Sequence, residues 1–267
     1  MTALQPVTLV IGASGGIGEA LAREFAKHDH RLVLVARREA PLSATADRIQ
    51  AAGKPRPDLI AIDLAAAGAG DRLAQELEQR ALEPAIVVNS AGFGLLGLAA
   101  TLGRGEQLAM IDLNVRLLTD LSLRWIDSLA RHRGGILNVG SLTGYYPGPA
   151  MAVYHATKAY ALMFGEALHY ELKSKGIRVT TLCPGPVETG FMARAGMRLG
   201  DYPRSLVLPV DRVARLGYDG FMRGRSVVVC GFANHAVLAL LRLLPRAVAT
   251  KLVGMSQQDR RRALRRG

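Results

Sequence analysis

The sequence predicts an α/β protein of three layers, a doubly wound, seven-stranded parallel sheet with helices on both faces. Three observations predict it. Short apolar runs alternate with segments of helical period through about the first 230 residues. The runs are almost continuously apolar, as strands buried on both faces are. A helical segment separates each run from the next, as crossover connections between parallel strands require.

The elements follow in order. A strand at 7–11, Val7-Thr8-Leu9-Val10-Ile11, leads through the turn Gly12-Ala13-Ser14-Gly15-Gly16-Ile17-Gly18 into a helix over 17–27. Strands at 31–35, 59–62 and 85–88 precede helices at 41–52, 71–81 and 106–130. A strand at 135–139 precedes a helix at 151–175, a strand at 178–182 precedes a helix at 210–222, and a last strand spans 226–229. Several runs are rich in Val and Ile, which suit a pleated, buried surface. Past Gly231 the pattern changes to an apolar run, then Pro245, then a second apolar stretch to Val253. Arg242, Arg246 and the proline argue against a membrane-spanning helix. Two short amphipathic helices are expected in this extension, about 233–267, covering a pocket, lying on a membrane surface or meeting a partner subunit.

Composition agrees with one domain over 1–267. Hydrophobic residues make up 49% and charged residues 21%, which excludes both a disordered chain and a membrane bundle. The start, Met1 to Pro6, carries no positive n-region, so a cytoplasmic location is expected. Cys183 and Cys230 lack metal-ligand spacing and read as buried, inert thiols; His28 and His30 merely flank Asp29, and no metal site is expected. The net charge of +12 raises nucleic-acid binding. The arginines are dispersed, however, and the one dense cluster, Arg260-Arg261-Arg262-Ala263-Leu264-Arg265-Arg266, has no interleaved aromatics. A solvated or weakly anion-binding tail fits better, and no specific nucleic-acid partner is expected.

The glycine turn sits between the first strand and the first helix. There glycines permit close backbone approach, and the helix N-terminus offers free N–H groups to a pyrophosphate. Its spacing is GxxxGxG. At the end of the second strand, where a carboxylate would bind the ribose of NAD, the chain has Ala36-Arg37-Arg38. Arg37, with Ser14 as a second donor, can hold a 2′-phosphate, so NADP(H) is the expected cofactor. Arg38 also fits an exposed helix start. Further on, Tyr154 and Lys158 stand four residues apart on one helix face, so that an ammonium can sit beside a phenol and stabilise its ionised form. They read as a proton donor beside a cofactor site.

With these motifs in order, residues 7–229 resemble the short-chain dehydrogenase/reductase family, a Rossmann fold. The resemblance places Gly12, Ser14, Gly15, Gly16, Ile17 and Gly18 at the cofactor, with Arg37 and Arg38 at its 2′-phosphate end and Asp63 and Leu64 at the adenine. Asn89-Ser90-Ala91-Gly92 is similar to the family's NNAG, which lends Asn89, Ala91 and Gly92 to the cofactor site. Pro184-Gly185-Pro186-Val187, with Thr189, is similar to the PG motif near the nicotinamide, adding Pro184, Gly185, Val187 and Thr189. Asn114, Ser141, Tyr154 and Lys158 match the catalytic Asn-Ser-Tyr-Lys tetrad, and the last two also contact the cofactor. The chain departs from the family pattern at Ile11, Ser90 and Gly140, where the family has Thr, Asn and Ser; all three are supporting positions.

The resemblance implies reduction of a ketone or aldehyde by NADPH, or oxidation of a secondary alcohol in reverse. Tyr154 would donate the proton, Lys158 would lower the phenol pKa and hold the ribose, Ser141 would hold the carbonyl oxygen, and Asn114 would position a backbone turn and a water chain. It also implies a substrate lid at about 188–208. Phe93, Tyr145, Tyr146, Phe191 and Met192 then suggest a hydrophobic carbonyl or alcohol substrate, such as a 3-oxoacyl or steroid-like compound. Arg194, Arg198 and Arg204 could bind an anionic group or simply be solvated. The family commonly forms dimers or tetramers through the helices here at 106–130 and 151–175, so a homodimer or homotetramer is expected. An alternative of a different class is a non-catalytic NADP(H) sensor or scaffold attached to a membrane or partner by its C-terminal tail.

Overall fold

The computed structural model describes residues 4–266, with side chains through Gln257. The strands are β1 Gln5–Ile11, β2 Leu32–Ala36, β3 Asp58–Ala61, β4 Leu82–Asn89, β5 Gly135–Val139, β6 Arg178–Cys183 and β7 Val227–Val229. All neighbours pair in parallel, in the order β3-β2-β1-β4-β5-β6-β7. The chain builds outward from β1 in one direction and then returns to build in the other, so the crevice beyond the ends of β1 and β4, where Ile11 pairs with Asn89, is the topological switch point.

The helices are α1 Gly16–Lys27, α2 Glu39–Ala51, α3 Ala69–Gln79, α4 Arg104–Ile111, α5 Leu118–Leu123, α6 Ile126–Arg131, α7 Ala152–Leu172, α8 Gly190–Arg194, α9 Val210–Met222, α10 Phe232–Leu243 and α11 Arg246–Arg266. Alternation along each strand decides which helices it meets. Val10, Leu34, Val88, Leu137 and Leu182 face one side and pack with α1, α2 and α9 through Leu21, Phe25, Leu42, Ile49 and Phe221. Leu9, Ile11, Val33 and Val35 face the other and meet Leu73 and Leu77 of α3 and Leu121 of α5. Val87, Ile136 and Val179 continue that face onto Leu129, Leu168 and Leu172.

Three differences from the sequence reading have physical causes. The helix expected over 106–130 is broken: a π-helical turn, Asp112–Leu117, separates α4 from α5, and Trp125 leaves helical geometry before α6. The wide turn places Asn114 in the interior, a device common where a helix serves a site. Strand β4 begins earlier than the expected 85–88, and its register against β1 slips between Val7 and Thr8. Pro84 lies at that slip; it has no N–H for the ladder, and the bulge absorbs the loss. The second C-terminal helix is long, 21 residues, and Pro245 ends α10 by holding Leu244 in extended geometry. The arginine cluster at 260–266 lies outside the described side chains.

Phe25 joins α1 to α9: its ring meets Tyr218 edge-on at 4.9 Å and Phe221 at 6.1 Å, and it is fully buried. Truncation leaves a cavity under both helices. Phe25→Ala is expected to cost about 3–5 kcal/mol in urea unfolding, and a loss below about 1 kcal/mol would mean the helices collapse onto the gap.

Candidate active site

The glycine turn closes tightly on the loop after β4. A Cβ at Gly12, which has φ of +82°, would lie 2.7 Å from the Ala91 nitrogen, and one at Gly18 would lie 2.2 Å from the Gly12 carbonyl oxygen. Neither contact is sterically allowed, so these two glycines set the closeness of approach. Ser90 Oγ lies 3.2 Å from the same Gly18 position, so the serine that replaces the family's asparagine packs against the turn. Gly16 faces Thr189, whose Cβ would be 3.2 Å from a side chain there, while space over Gly15 is open. A shallow cradle thus lies between the N-terminus of α1 and the Pro184-to-Thr189 segment. A dinucleotide pyrophosphate fits it: the space is unblocked, the backbone is bare and the first N–H groups of α1 point outward.

At the end of β2, Arg37 and Arg38 are exposed, and neither forms an ion pair among the described residues. Arg38 also stands at the N-cap of α2. Asp63 is exposed and accepts a bond from the Ala65 N–H at 3.1 Å, while Leu64 is buried against α3. Asn89 is turned inward: its amide donates to Ser122 Oγ at 3.1 Å and to Asn138 Oδ1 at 2.9 Å, linking β4 to β5 and α5. Pro184 accepts from the Leu142 N–H at 3.0 Å, and Val187 bridges to Leu208. A Cβ at Gly92 would lie 2.9 Å from Asn114 Oδ1, and one at Gly185 would strike Asn234 at 2.6 Å, while Ala91 is the residue against Gly12.

The four tetrad residues converge beyond the ends of β4 and β5. Asn114, from the π-helical turn, clamps the loop after β4: Oδ1 accepts from the Phe93 N–H at 3.1 Å, and Nδ2 donates to the Phe93 carbonyl at 2.9 Å and to Thr157 Oγ1 at 3.1 Å. Ser141 caps the 3₁₀ turn Leu142–Tyr145, accepting from the Thr143 N–H at 3.2 Å. Lys158 is buried and donates to the Val139 carbonyl at 2.8 Å. Its ammonium lies 5.9 Å from the centre of the Tyr154 ring.

Electrostatically the pair differs from the sequence expectation. Burial dominates at Tyr154 and pushes its pKa above that of a free phenol, with the Ser141 and Thr143 hydroxyls acting in the opposite direction. Lys158 is not what sets the balance in the protein chain alone; it is itself lowered to about 8 by burial. The phenol is therefore held as a neutral acid beside an ammonium that is still mostly charged at neutral pH.

Of the expected pocket residues, Phe93, Phe191 and Met192 gather around Tyr154 in one apolar cluster with Met110, Met151 and Met197. Phe191 lies 5.4 Å from the Tyr154 ring, and the Leu96 N–H donates to the Ala195 carbonyl at 3.0 Å, so the segment expected to form a lid rests against the tyrosine. Tyr145 and Tyr146 are not members of this apolar cluster, although Tyr146 is near enough to Tyr154 to act on its charge. Tyr145 is beneath Arg242 of α10, 4.9 Å away, and Tyr146 accepts through its carbonyl from His155 Nδ1 at 2.9 Å. Arg194 stacks on Phe93 at 4.3 Å.

Four further residues build the site, and of these Thr157 and Asn234 had no place in the sequence reading. Thr157 completes the Asn114 clamp, and His155, whose pKa is lowered by burial, pins the 3₁₀ turn. Cys183 lies under Gly140 and close to Tyr145, its thiol pushed up to about 12 by burial. Asn234, buried in α10, donates to the Leu206 carbonyl at 3.1 Å and the Cys230 carbonyl at 2.7 Å, joining the lid's end to β7. A lone amide in an otherwise apolar stretch was the available signal for Asn234.

The burial of Lys158 predicts a pH signature. Its folded pKa, about 8, lies below the ordinary 10.5, so between those values the unfolded chain holds a proton that the folded one does not. Stability from this group therefore rises with pH across that window, and the cost of burying charge is fully present below it. Lys158→Met should remove that rise, read as urea midpoints of both proteins from about pH 7 to about pH 10. Equal slopes would mean the ammonium is solvated.

Comparison with known proteins agrees with this geometry. Residues 6–198 match the family model for short chain dehydrogenases. The 17-beta-hydroxysteroid dehydrogenase type 3 of Rattus norvegicus is 29% identical over 249 residues, covering 89% of this chain and 76% of that protein. A sulfoacetaldehyde reductase of Chromohalobacter salexigens is 34% identical over 191 residues, 70% of this chain and 75% of its own. Among solved structures, a short-chain dehydrogenase from Sphingobium yanoikuyae in complex with NADPH superposes with a TM-score of 0.77 at 29% identity, covering 91% of this chain and 97% of that one. The seven-stranded fold, the nicotinamide-dinucleotide cradle and the family match lead to one conclusion: this chain belongs to the short-chain dehydrogenase/reductase family of oxidoreductases.

Proposed function

We propose that the protein is an NADP(H)-dependent carbonyl reductase acting on a hydrophobic ketone or aldehyde, and on the secondary alcohol in reverse. The observation that carries this reading is the buried neutral phenol of Tyr154, set beside the Lys158 ammonium and facing the Ser141 hydroxyl. A bound nicotinamide supplies the hydride. As negative charge builds on the carbonyl oxygen, Ser141 donates a hydrogen bond and Tyr154 gives up its proton. The phenolate left behind is stabilised by Lys158, whose charge is fixed in place by the Val139 carbonyl. Asn114 keeps the Phe93 backbone and Thr157 in register with this site. Closure of Phe191 and Met192 over Tyr154 excludes water and favours an apolar substrate.

Preference for the 2′-phosphate is supported by Arg37, exposed at the end of β2 without an ion-pair partner among the described residues. A homodimer is supported by the apolar outer surface of α4, α5 and α7. Leu108, Ile111, Leu123, Met163 and Tyr170 are exposed there, and a 2.7 Å contact between the Thr119 and Tyr160 hydroxyls sets α5 beside α7.

NADPH oxidation against aliphatic, aromatic, steroid and 3-oxoacyl carbonyls tests the reading. Turnover is expected on at least one hydrophobic carbonyl, with Tyr154→Phe lower by about 10²-fold or more and still binding NADPH. NADPH binding without turnover on any carbonyl would favour a nucleotide sensor. Arg37→Ala should weaken NADPH by about tenfold or more while leaving NADH affinity unchanged; equal losses for both would remove the arginine from the phosphate.

A further inference from the structure

We propose that the outer face of α10 and α11 docks on an anionic lipid surface. The face is large and apolar where a water-facing helix should be polar. Phe232 is 90%, Leu240 61% and Leu243 84% exposed, and Ala236 and Ala239 fill the positions between them on one side of α10. Val248, Leu252 and Met255, at i, i+4 and i+7, form a second exposed apolar stripe, on α11. The opposite sides hold these helices to the domain. Asn234 and Leu238 are buried on α10, Ala249 is buried on α11, and Gly254 lies against Pro149. The outward orientation is thus built in, and the stripe contributes nothing to the domain's own core.

Charge selects the occupant. From 231 to 258, over α10 and most of α11, the chain has no carboxylate, and Arg242, Arg246 and Lys251 are its charged groups. A second copy would bring two such cationic faces together, which like-charge repulsion disfavours. An anionic bilayer satisfies both properties, taking the apolar side chains into the acyl boundary and the cations among its headgroups. Among the described residues no helix is long and apolar enough to cross a membrane, so the helices would lie in the interface plane. Placement adds a use for the contact: α10 packs on the 3₁₀ turn after Ser141 and on the lid segment Arg204–Leu206. The docked helix would then lie between the lid and the lipid, holding the lid one helix thickness from a surface where an apolar substrate would be concentrated. That last step rests on the reductase reading; the docking itself does not.

Flotation of the full chain with phosphatidylcholine vesicles, with and without phosphatidylglycerol, tests the proposal. Binding is expected to the anionic vesicles and to weaken on neutral ones, on the order of fivefold per cation engaged. Leu240→Asp with Leu243→Asp should cut binding at least about tenfold, and Arg246→Gln with Lys251→Gln should reduce the preference for anionic lipid. Unchanged NADPH binding would show both variants to be folded. The proposal is overturned if the natural chain ignores vesicles or if the aspartate variant binds as before. It is equally overturned if light scattering shows that variant losing self-association in a protein that never bound lipid. Vesicle binding without carbonyl turnover would leave the docking standing and overturn the reductase reading alone.

Discussion

Everything at the site hangs on the double hydrogen bond between Asn114 and the Phe93 backbone. A buried amide with both ends committed has one orientation, and it ties the loop after β4 to the helices that cover the sheet. Through Thr157 the same side chain reaches α7, which carries Tyr154 and Lys158. A regular α-helix through 112–117 would rotate Asn114 out of this position. The less favourable π-helical turn is the local cost of a globally fixed loop.

Burial then determines the electrostatics. Water is kept from Tyr154 by Phe191 and from Lys158 by the ends of β5 and the 3₁₀ turn, so each group is driven toward its neutral form. For a phenol the neutral form is the proton donor, and for an ammonium a modest lowering still leaves charge at neutral pH. Under the proposed mechanism the same enclosure prepares both partners for opposite roles. A cation acting in so dry a setting stabilises a nascent phenolate more strongly than it would in water.

Much of this was legible in the sequence because it rests on periodicity and spacing. The seven strands, the glycine turn and the spacing of Tyr154 and Lys158 depend on local pattern, and the family resemblance added Asn114 and Ser141. Gly140, a departure from the family pattern, is explained only in three dimensions: a side chain there would lie 2.9 Å from Thr181 Cγ2 and 3.3 Å from Cys183 Sγ on the adjacent strand. Ile11 takes the place of a hydroxyl by packing fully into the core with Leu73 and Leu121. The break in the 106–130 helix could not be read, since Leu117, Leu118 and Leu121 continue a good helical pattern and only the distant Phe93 backbone selects the wide turn. The burial that raises the Tyr154 pKa was not legible for a related reason. Spacing of four residues places an ammonium near a phenol, but says nothing of the solvent that both lose.

The bridge between Val187 and Leu208 gives the lid a further property. Because its two ends meet at a neck, the segment between them is a closed loop that carries α8 and two 3₁₀ turns. Asn234 secures the neck by holding the Leu206 and Cys230 carbonyls. Loop-closure entropy grows only with the logarithm of length, so residues added or removed where the loop is exposed, at Pro203, Arg204 and Ser205, change overall stability little. The proposed lid can therefore be lengthened or shortened there, while Phe191, Met192 and Met197, which pack around Tyr154, stay as they are.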